Sequence, residues 1–512
     1  MFKKHTPITA AVLLTTALVA TPALAAKPLV HDAEFYILQK QNGEKWAAED
    51  KELDARLEEF KKNNGGKPPN ILYILIDDIG FGDLGSKTLN TIRGYETPAI
   101  NKVADEGMRM ARMYTEPSCT PTRVAFMTGR QPHRNGMGNT AVDISGFGLA
   151  DEEVTLAEAL SENGYNTVHI GKWHMGDIKE AWPNHQGFDY AAFPIHQQGQ
   201  LTIYHDDAAH EEVSIGIGNS NYEGRYTIDG WLRTDASAMA VGVEGERGEN
   251  VREVHMEAGE RWTEKKYMEM NYRYQEQAME HLRKLAKEDE PFFLNYWPLY
   301  PIVGPRTSYD EYTTPNGGRY VEKMKLLDSW IGDMMDEMET LGIADNTIVV
   351  IMGDNGHFTK YSPQSGYTPM IYKGGKGYTT EGGVRVDAFV RWPGMVEADS
   401  VVGDMVHVSD LFTTLARSLE IPARTVFGLA YDDGERPAFA FHAWNEVSVD
   451  GEWRAVDPTW NQLRVDATHI PLPDNHAAAL ELLTGSVDLS FSVREVDYFA
   501  DAERRWRTNP SW

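Results

Sequence analysis

The stretch Pro117-Ser118-Cys119-Thr120-Pro121-Thr122-Arg123 decides how the rest of the chain is organised, and residues 124–130 (VAFMTGR) follow it directly. Two prolines bracket a run of hydroxyl residues, which predicts a turn, and the apolar run after Arg123 predicts a helix. Cys119 is the only cysteine in 512 residues, so it forms no internal disulfide. A free cysteine usually packs as a small buried hydrophobe, but the polar turn argues against that interpretation. The free N–H groups of a helix N-terminus and the Arg123 guanidinium predict an anion site instead.

Two predicted strands end in pairs of oxygen-bearing side chains. Residues 71–76 (ILYILI) and residues 348–352 (IVVIM) are continuous apolar runs, which are typical of parallel strands buried on both faces. Ligands of open α/β sheets lie at the carboxyl ends of such strands. One acidic pair after a strand is often only a turn, but two pairs together predict a hard-cation site, and all-oxygen ligation favours Ca²⁺ or Mg²⁺ over zinc. The ligand candidates are Asp77, Asp78, Asp354 and Asn355.

Strands alternate with helical patterns from residue 70 to residue 415, which indicates an α/β protein with a largely parallel sheet covered on both faces. Two long helices are predicted at residues 262–287 and 320–341, each with an apolar stripe at three-to-four spacing. A short strand is predicted at residues 167–170. Lys172 and His174 follow it two residues apart, so both point to one face if the strand geometry continues.

Three segments resemble the type I, formylglycine-dependent sulfatases. The first is CxPxR at residues 119–123 with the TGR turn after it, and the second is GYNTVHIGKWHMG at residues 164–176, with Gly187-Phe188-Asp189 beyond. The third is GGKGYTTEGGVRV at residues 374–386. The resemblance covers residues 69–419 and implies the alkaline-phosphatase-like fold, a large and mostly parallel sheet sandwiched by helices, with a smaller antiparallel module at the C-terminus.

The resemblance also implies roles for individual residues. Cys119 would be oxidised to formylglycine by the formylglycine-generating system. Its hydrate would attack sulfur as the alcohol departs, and the second hydroxyl would then expel sulfate and restore the aldehyde. Ca²⁺, or Mg²⁺, would be held by Asp77, Asp78, Asp354 and Asn355, with residue 119 beside it. The catalytic residues implied in addition to Cys119 are Arg123, Lys172, His174 and Lys376. Lys373, in the same glycine-rich loop as Lys376, is expected to face solvent.

The second active-site histidine departs from the family pattern. Many sulfatases carry it in a PHxP turn after a PFFL strand, but here PFFL at residues 291–294 is followed by Tyr300-Pro301-Ile302-Val303. His196 is therefore the candidate. It lies in the long polar segment 195–262, which is more typical of a binding lid than of scaffold. The rival histidines are His205, His210 and His255.

The two ends of the chain have other predicted roles. Residues 1–25 carry Lys3 and Lys4, an apolar run and Ala23-Leu24-Ala25, the pattern of a cleaved secretory signal peptide. No later run is long enough for a membrane span, so we expect a periplasmic or secreted protein. Residues 26–67 are expected to form an N-terminal helical extension, with a helix at 44–62, and residues 68–419 the catalytic domain.

Residues 420–512 are expected to form a β-rich module. Residues 420–500 resemble the second half of a transglutaminase-like domain, and His442 and Asp457 match two members of its Cys, His, Asp triad. The nucleophile position, on the preceding helix by that family's spacing, holds Met405. A thioether forms no thiolate, so acyl transfer by this segment is excluded.

The net charge of −28 argues against nucleic-acid binding. Any anion site must be a local positive focus in an acidic protein.

The favoured function is hydrolysis of organic sulfate monoesters, with aryl esters first, and its partners are a small sulfate ester and a formylglycine-generating system. Aryl, steroid and carbohydrate esters all fit the sequence. The alternatives are a phosphonate or phosphate ester hydrolase of the same superfamily and an inactive chimeric binding or scaffold protein.

Overall fold

The computed structural model describes the chain in segments. They are residues 33–85, 95–139, 147–151, 153–176, 178–194, 241–249, 251–254, 264–301, 319–357, 371–419, 423–432, 438–449, 452–456 and 469–471. The predicted signal peptide at 1–25 and the candidate His196, with its rivals His205, His210 and His255, lie outside the described residues.

A large sheet forms the centre of the protein. Its strands are β1 (Asn70–Ile76), β2 (Met108–Tyr114), β3 (Asn166–Gly171), β4 (Tyr190–Pro194), β5 (Val241–Glu246), β6 (Val251–Val254), β7 (Phe292–Trp297), β8 (Thr347–Gly353), β9 (Arg385–Val386), β10 (Ala388–Arg391) and β11 (Ser400–His407). They follow the order β11-β2-β10-β8-β1-β7-β3-β4-β5-β6, and β9 pairs with β2. The central strands β8, β1, β7, β3 and β4 are parallel, which confirms the predicted α/β architecture.

Helices cover both faces of this sheet. They are α1 (Ala33–Asn63), α2 (Pro98–Asp105), α3 (Cys119–Thr128), α4 (Leu156–Glu162), α5 (Glu264–Leu285), α6 (Arg319–Thr340), α7 (Glu381–Val384) and α8 (Asp410–Ser418). Side chains of β1 alternate between two core clusters, because successive residues of a strand point to opposite faces. Ile71, Tyr73 and Leu75 pack with α3, α4 and α8, whereas Leu72, Ile74 and Ile76 pack with α2, α5 and α6.

The C-terminal half of α1 lies against the rest of the protein. Leu57 belongs to the core cluster beneath α3, and the Phe60 ring meets Trp392 edge-on at 5.4 Å between centroids. Arg56 donates a hydrogen bond to the Met395 carbonyl. The helix begins eleven residues earlier than the predicted 44–62 and ends where expected, at the Asn-Asn-Gly-Gly sequence from Asn63 to Gly66.

A second, four-stranded antiparallel sheet follows near the C-terminus. It consists of β12 (Ala423–Asp432), β13 (Ala438–Val449), β14 (Glu452–Val456) and β15 (His469–Pro471), in the order β14-β13-β12-β15. This confirms the predicted β-rich module. His442 lies on β13, and Asp457 lies outside the described residues. Met405 lies on β11 with its side chain exposed, so the helix implied for this position was wrong. None of the described helices is both long and apolar enough to cross a membrane.

Candidate active site

The carboxyl ends of β1 and β8 bring the four predicted oxygen ligands together. The two strands pair with Ile76 opposite Gly353, so the residues that follow them are neighbours. The Asp78 N–H donates to Asp354 Oδ1 at 2.9 Å, and Asn355 Nδ2 donates to Asp78 Oδ1 at 2.7 Å. Asp78 has a φ of 55°, a left-handed conformation uncommon outside glycine. The cluster consists of Asp77, Asp78, Asp354 and Asn355.

Cys119 begins α3 directly beside this cluster. Ser118 is the N-cap, with an extended backbone at φ −153° and ψ 161°, so the helix begins before Arg123 rather than after it as predicted. Cys119 Sγ lies 3.7 Å from Asp78 Oδ1 and 2.7 Å from Lys376 Nζ. The cysteine is fully buried, yet it belongs to neither apolar core cluster. Its immediate neighbours are charged side chains, as the polar turn indicated.

Arg123 lies beneath the cluster and is completely buried. Its Nη2 lies 3.2 Å from Asp77 Oδ1 and 2.9 Å from Asp354 Oδ2, and its Nη1 donates to the Lys172 carbonyl at 2.8 Å. The guanidinium also lies over the Trp297 ring, 4.8 Å from its centroid. Arg123 Nη2 therefore orients two of the candidate metal ligands, while Nη1 holds the Lys172 backbone.

Lys172 and His174 reach the site through a turn rather than along a strand. β3 ends at Gly171, and His174 has a φ of 60°, so the strand geometry expected for these residues does not continue. The Lys172 backbone is anchored by its N–H to the Trp297 carbonyl at 2.8 Å. Its Nζ lies 2.8 and 2.7 Å from the two carboxylate oxygens of Asp77. His174 is buried. Burial, followed by the positive charges of Lys172 and Arg123, lowers its pKa well below the usual value.

A glycine-rich turn delivers Lys376. Gly374 and Gly377 have φ values of 94° and 86°, a region that favours glycine. The Gly377 N–H donates to the Pro117 carbonyl at 2.6 Å, which fastens this turn to the segment before α3. Lys376 Nζ lies 2.8 Å from Asp78 Oδ1. Lys373 is exposed, as expected.

The charges in this cluster shift one another's pKa values. Burial alone would raise the pKa of Asp77, but Lys172 and Arg123 outweigh it and hold that pKa well below its usual range. Burial and the nearby Asp77 carboxylate raise the pKa of Asp354 to about 7. Burial, followed by Asp354 and Asp77, raises the pKa of the Cys119 thiol well above its usual value. The thiolate is therefore disfavoured, and an unmodified Cys119 is a poor nucleophile.

The donor set fits a hard divalent cation. Ligand atoms of three carboxylates, those of Asp77, Asp78 and Asp354, and of Cys119 lie within 4.8 Å of one another, and the Asn355 amide lies against Asp78. Asn355 Oδ1 is buried and has no hydrogen-bond partner among the described residues, which is the condition of an acceptor that a cation would satisfy. Three cationic side chains balance the charge of the three carboxylates, so a bound Ca²⁺ or Mg²⁺ would give this cluster a net positive charge, which favours binding of an anion. These cations are Arg123, Lys172 and Lys376.

Sequence reasoning overlooked Asp83 and His357, which connect the two loops of the cluster. His357 Nε2 lies 2.8 Å from Asp83 Oδ2. Their closeness in sequence to the predicted ligands could have indicated a role at the site. Asp83 follows Asp78 in the glycine-rich turn after β1, and His357 directly follows Asp354-Asn355-Gly356. Their pairing could not be read from the sequence, because 274 positions separate them.

Comparisons with known proteins identify the family of the chain. A sequence profile described as Sulfatase matches residues 69–421. A second profile, described as Transglutaminase-like superfamily, matches residues 390–458 and overlaps the first over residues 390–421, which include β11 and α8. The crystal structure of PsFucS1 sulfatase from Pseudoalteromonas sp. superposes with a TM-score of 0.60 at 24% sequence identity, covering 77% of this chain and 87% of that one. At this identity the structural likeness shows the fold.

Curated relatives agree with the profile. Human arylsulfatase A is 31% identical over 365 residues, which cover 70% of this chain and 66% of the relative. Steryl-sulfatase of Mus musculus is 28% identical over 451 residues, covering 77% and 70%. N-acetylgalactosamine-6-sulfatase of Canis lupus familiaris is 29% identical over 417 residues, covering 77% and 72%. The chain therefore belongs to the sulfatase family of sulfuric ester hydrolases.

Proposed function

We propose that the protein hydrolyses organic sulfate monoesters at residue 119, after oxidation of Cys119 to formylglycine and with a divalent cation, Ca²⁺ or else Mg²⁺, in the oxygen cluster. One observation carries this proposal: three carboxylates suited to a cation and three cationic side chains suited to an anion contact one another in a single buried cluster. Asn355 Oδ1 and Arg123 Nε are both buried there without a hydrogen-bond partner among the described residues. The acceptor, Asn355 Oδ1, suits a metal ion as its partner, and the donor, Arg123 Nε, suits a sulfate oxygen.

The proposed chemistry divides between the bound groups and the chain. The cation would act as a Lewis acid on a sulfate oxygen, and the hydrated aldehyde would supply the nucleophilic hydroxyl. Lys376 Nζ lies 2.7 Å from Cys119 Sγ, so it is within reach of an oxygen built at that position and can offset its negative charge. Donors arranged before the reaction stabilise charge most effectively in a buried, water-poor site.

The remaining side chains have proposed roles in binding and proton transfer. Arg123 and Lys172 orient Asp77 at 3.2 and 2.7–2.8 Å and add positive charge facing the sulfate oxygens. His174 is proposed to hydrogen-bond the nucleophile oxygen. The leaving alcohol needs a proton, and we propose His196 as its donor, because a histidine titrates near neutral pH.

Aryl sulfates are the proposed substrates and the first to test. The names of the relatives span an aryl, a steryl and an amino-sugar class, so each class supplies a probe. We further propose that residues 1–25 direct export to the periplasm or beyond, that residues 26–67 are an extension, that residues 68–419 form the catalytic domain and that residues 420–512 stand in for the small sulfatase domain.

The test measures turnover of 4-nitrophenyl sulfate by protein produced together with a formylglycine-generating enzyme. We expect hydrolysis that EDTA abolishes and Ca²⁺ restores. The matched aryl phosphonate should turn over more slowly than the sulfate. Preferential hydrolysis of the phosphonate would contradict the proposed substrate class, and EDTA-insensitive sulfate hydrolysis would contradict the metal.

A further inference from the structure

A buried carboxylate holds the turn that follows β1. Asp83 is almost completely buried, and its Oδ2 accepts the Gly80 N–H at 2.9 Å. The same oxygen lies 2.8 Å from His357 Nε2, and Asp83 Oδ1 accepts from the Tyr95 hydroxyl at 3.3 Å. Asp83 therefore links the turn carrying Asp78 to a residue that follows β8.

The His357 ring lies directly on the backbone of this turn. A Cβ built on Gly80 would come 2.1 Å from His357 Cδ2 and 2.3 Å from its Nε2. No side chain larger than hydrogen fits between them without displacing the imidazole. The turn is also held from its other side, because Asp387 Oδ2 accepts the N–H groups of Gly82 and Leu84 at 2.7 and 3.0 Å. The contact of His357 with Gly80 and its bond to Asp83 together fix the distance between the turn after β1 and the turn after β8.

The His357 backbone extends the connection to a third loop. Its carbonyl accepts the Lys376 N–H at 2.7 Å, and Lys376 Nζ reaches both Cys119 and Asp78. His357 is two residues beyond Asn355 in the chain. A displacement of His357 would thus shift Asn355, a candidate metal ligand, and Lys376, a cationic side chain of the site.

We propose that Asp83 and His357 are a positioning pair that sets the affinity of the site for its divalent cation, by holding the turn after β1 against the turn after β8. The inference rests on the cation site proposed above. The pair acts through backbone placement, and it helps hold Asp78 in its left-handed conformation at φ 55°, which persists only where the surroundings impose it.

The test is calorimetric titration of Ca²⁺ into metal-free protein. Asp83→Asn and His357→Phe should weaken Ca²⁺ affinity roughly 10- to 100-fold, the scale seen when a residue supporting metal ligands is lost. Phenylalanine keeps a planar ring, somewhat larger than imidazole, and removes both ring nitrogens, including the N–H donor. His357→Gln keeps a donor and should recover most of the affinity. Gly80→Ala should weaken binding as well, because the added methyl group displaces the His357 ring although the chemistry of Asp83 and His357 is unchanged.

Asp328→Asn is the matched control. Asp328 is a buried carboxylate that accepts the backbone N–H groups of Ala99 and Ile100, away from the site, so its change should lower thermal stability and leave Ca²⁺ affinity unchanged. Equal affinity in wild type, Asp83→Asn and His357→Phe would overturn the positioning role alone. A similar loss in Asp328→Asn would overturn it in favour of general destabilisation. A wild-type protein that takes up no Ca²⁺ would overturn the cation site itself, and the pair's role with it.

Discussion

Replacing Arg123 by methionine is the sharpest test of how the buried centre is held together. The guanidinium makes two ion pairs, at 3.2 Å to Asp77 and 2.9 Å to Asp354, and donates to the Lys172 carbonyl at 2.8 Å. Removing one partner of a buried pair costs about 3–5 kcal/mol, because the charge left behind is not compensated. Methionine fills much of the arginine's volume, so the loss should come from electrostatics more than from a cavity. We expect the free energy of unfolding to fall by about 3–5 kcal/mol.

The assay is equilibrium urea unfolding, followed by tryptophan fluorescence in EDTA so that metal binding does not mask the change. Arg123→Lys serves as the companion variant, since it keeps the charge and loses the two-pronged geometry, and it should fall between wild type and Arg123→Met. Such a loss is a large share of the stability of a typical domain, about 5–15 kcal/mol. A decrease below about 1 kcal/mol, the scale of a surface pair, would contradict a stabilising role for these buried ion pairs, as would equal effects of the two variants.

Three further predictions concern activity and pH. Cys119→Ala should lower kcat for an aryl sulfate at least about 10³-fold, the scale for losing a covalent nucleophile; near-normal turnover would contradict the assignment. Lys376→Met should lower kcat about 10²- to 10³-fold, whereas the exposed Lys373→Met in the same loop should not, and equal effects would count against the specific role of Lys376. Burial raises the pKa of Glu158 from 4.5 to about 7, so the folded state binds its proton more tightly than the unfolded chain does. Stability should therefore decline as pH rises from about 4.5 to 7. Glu158→Gln should flatten that decline in urea unfolding at several pH values, and an unchanged slope would contradict the pKa shift.

The sheet and the oxygen cluster were predictable because their signals are local. The apolar run before Asp77 identifies a strand buried on both faces, and the same pattern precedes Asp354. Parallel neighbours end at one edge of a sheet, so two such runs suffice to expect convergence. The observed register, Ile76 opposite Gly353, produces it.

Features that depend on turns and distant contacts were not predictable in this way. The start of α3 at Cys119 depends on the extended backbone of Ser118. The alternation of side chains expected to continue from β3 does not predict the left-handed backbone of His174. Lys172 and His174 reach the site by a turn that residue spacing does not encode. The bond between Asp83 and His357 joins two loops far apart in sequence. Neither residue type predicts which residue it pairs with.

Mass spectrometry of the proteolytic peptide containing Cys119 shows directly whether residue 119 carries a thiol or an aldehyde. Protein produced with a formylglycine-generating system should yield a peptide whose mass fits replacement of the thiol by an aldehyde, and a carbonyl-reactive hydrazide should label residue 119. We expect sulfate ester turnover to rise in proportion to the converted fraction across preparations. A peptide that keeps its free thiol in fully active enzyme would contradict it.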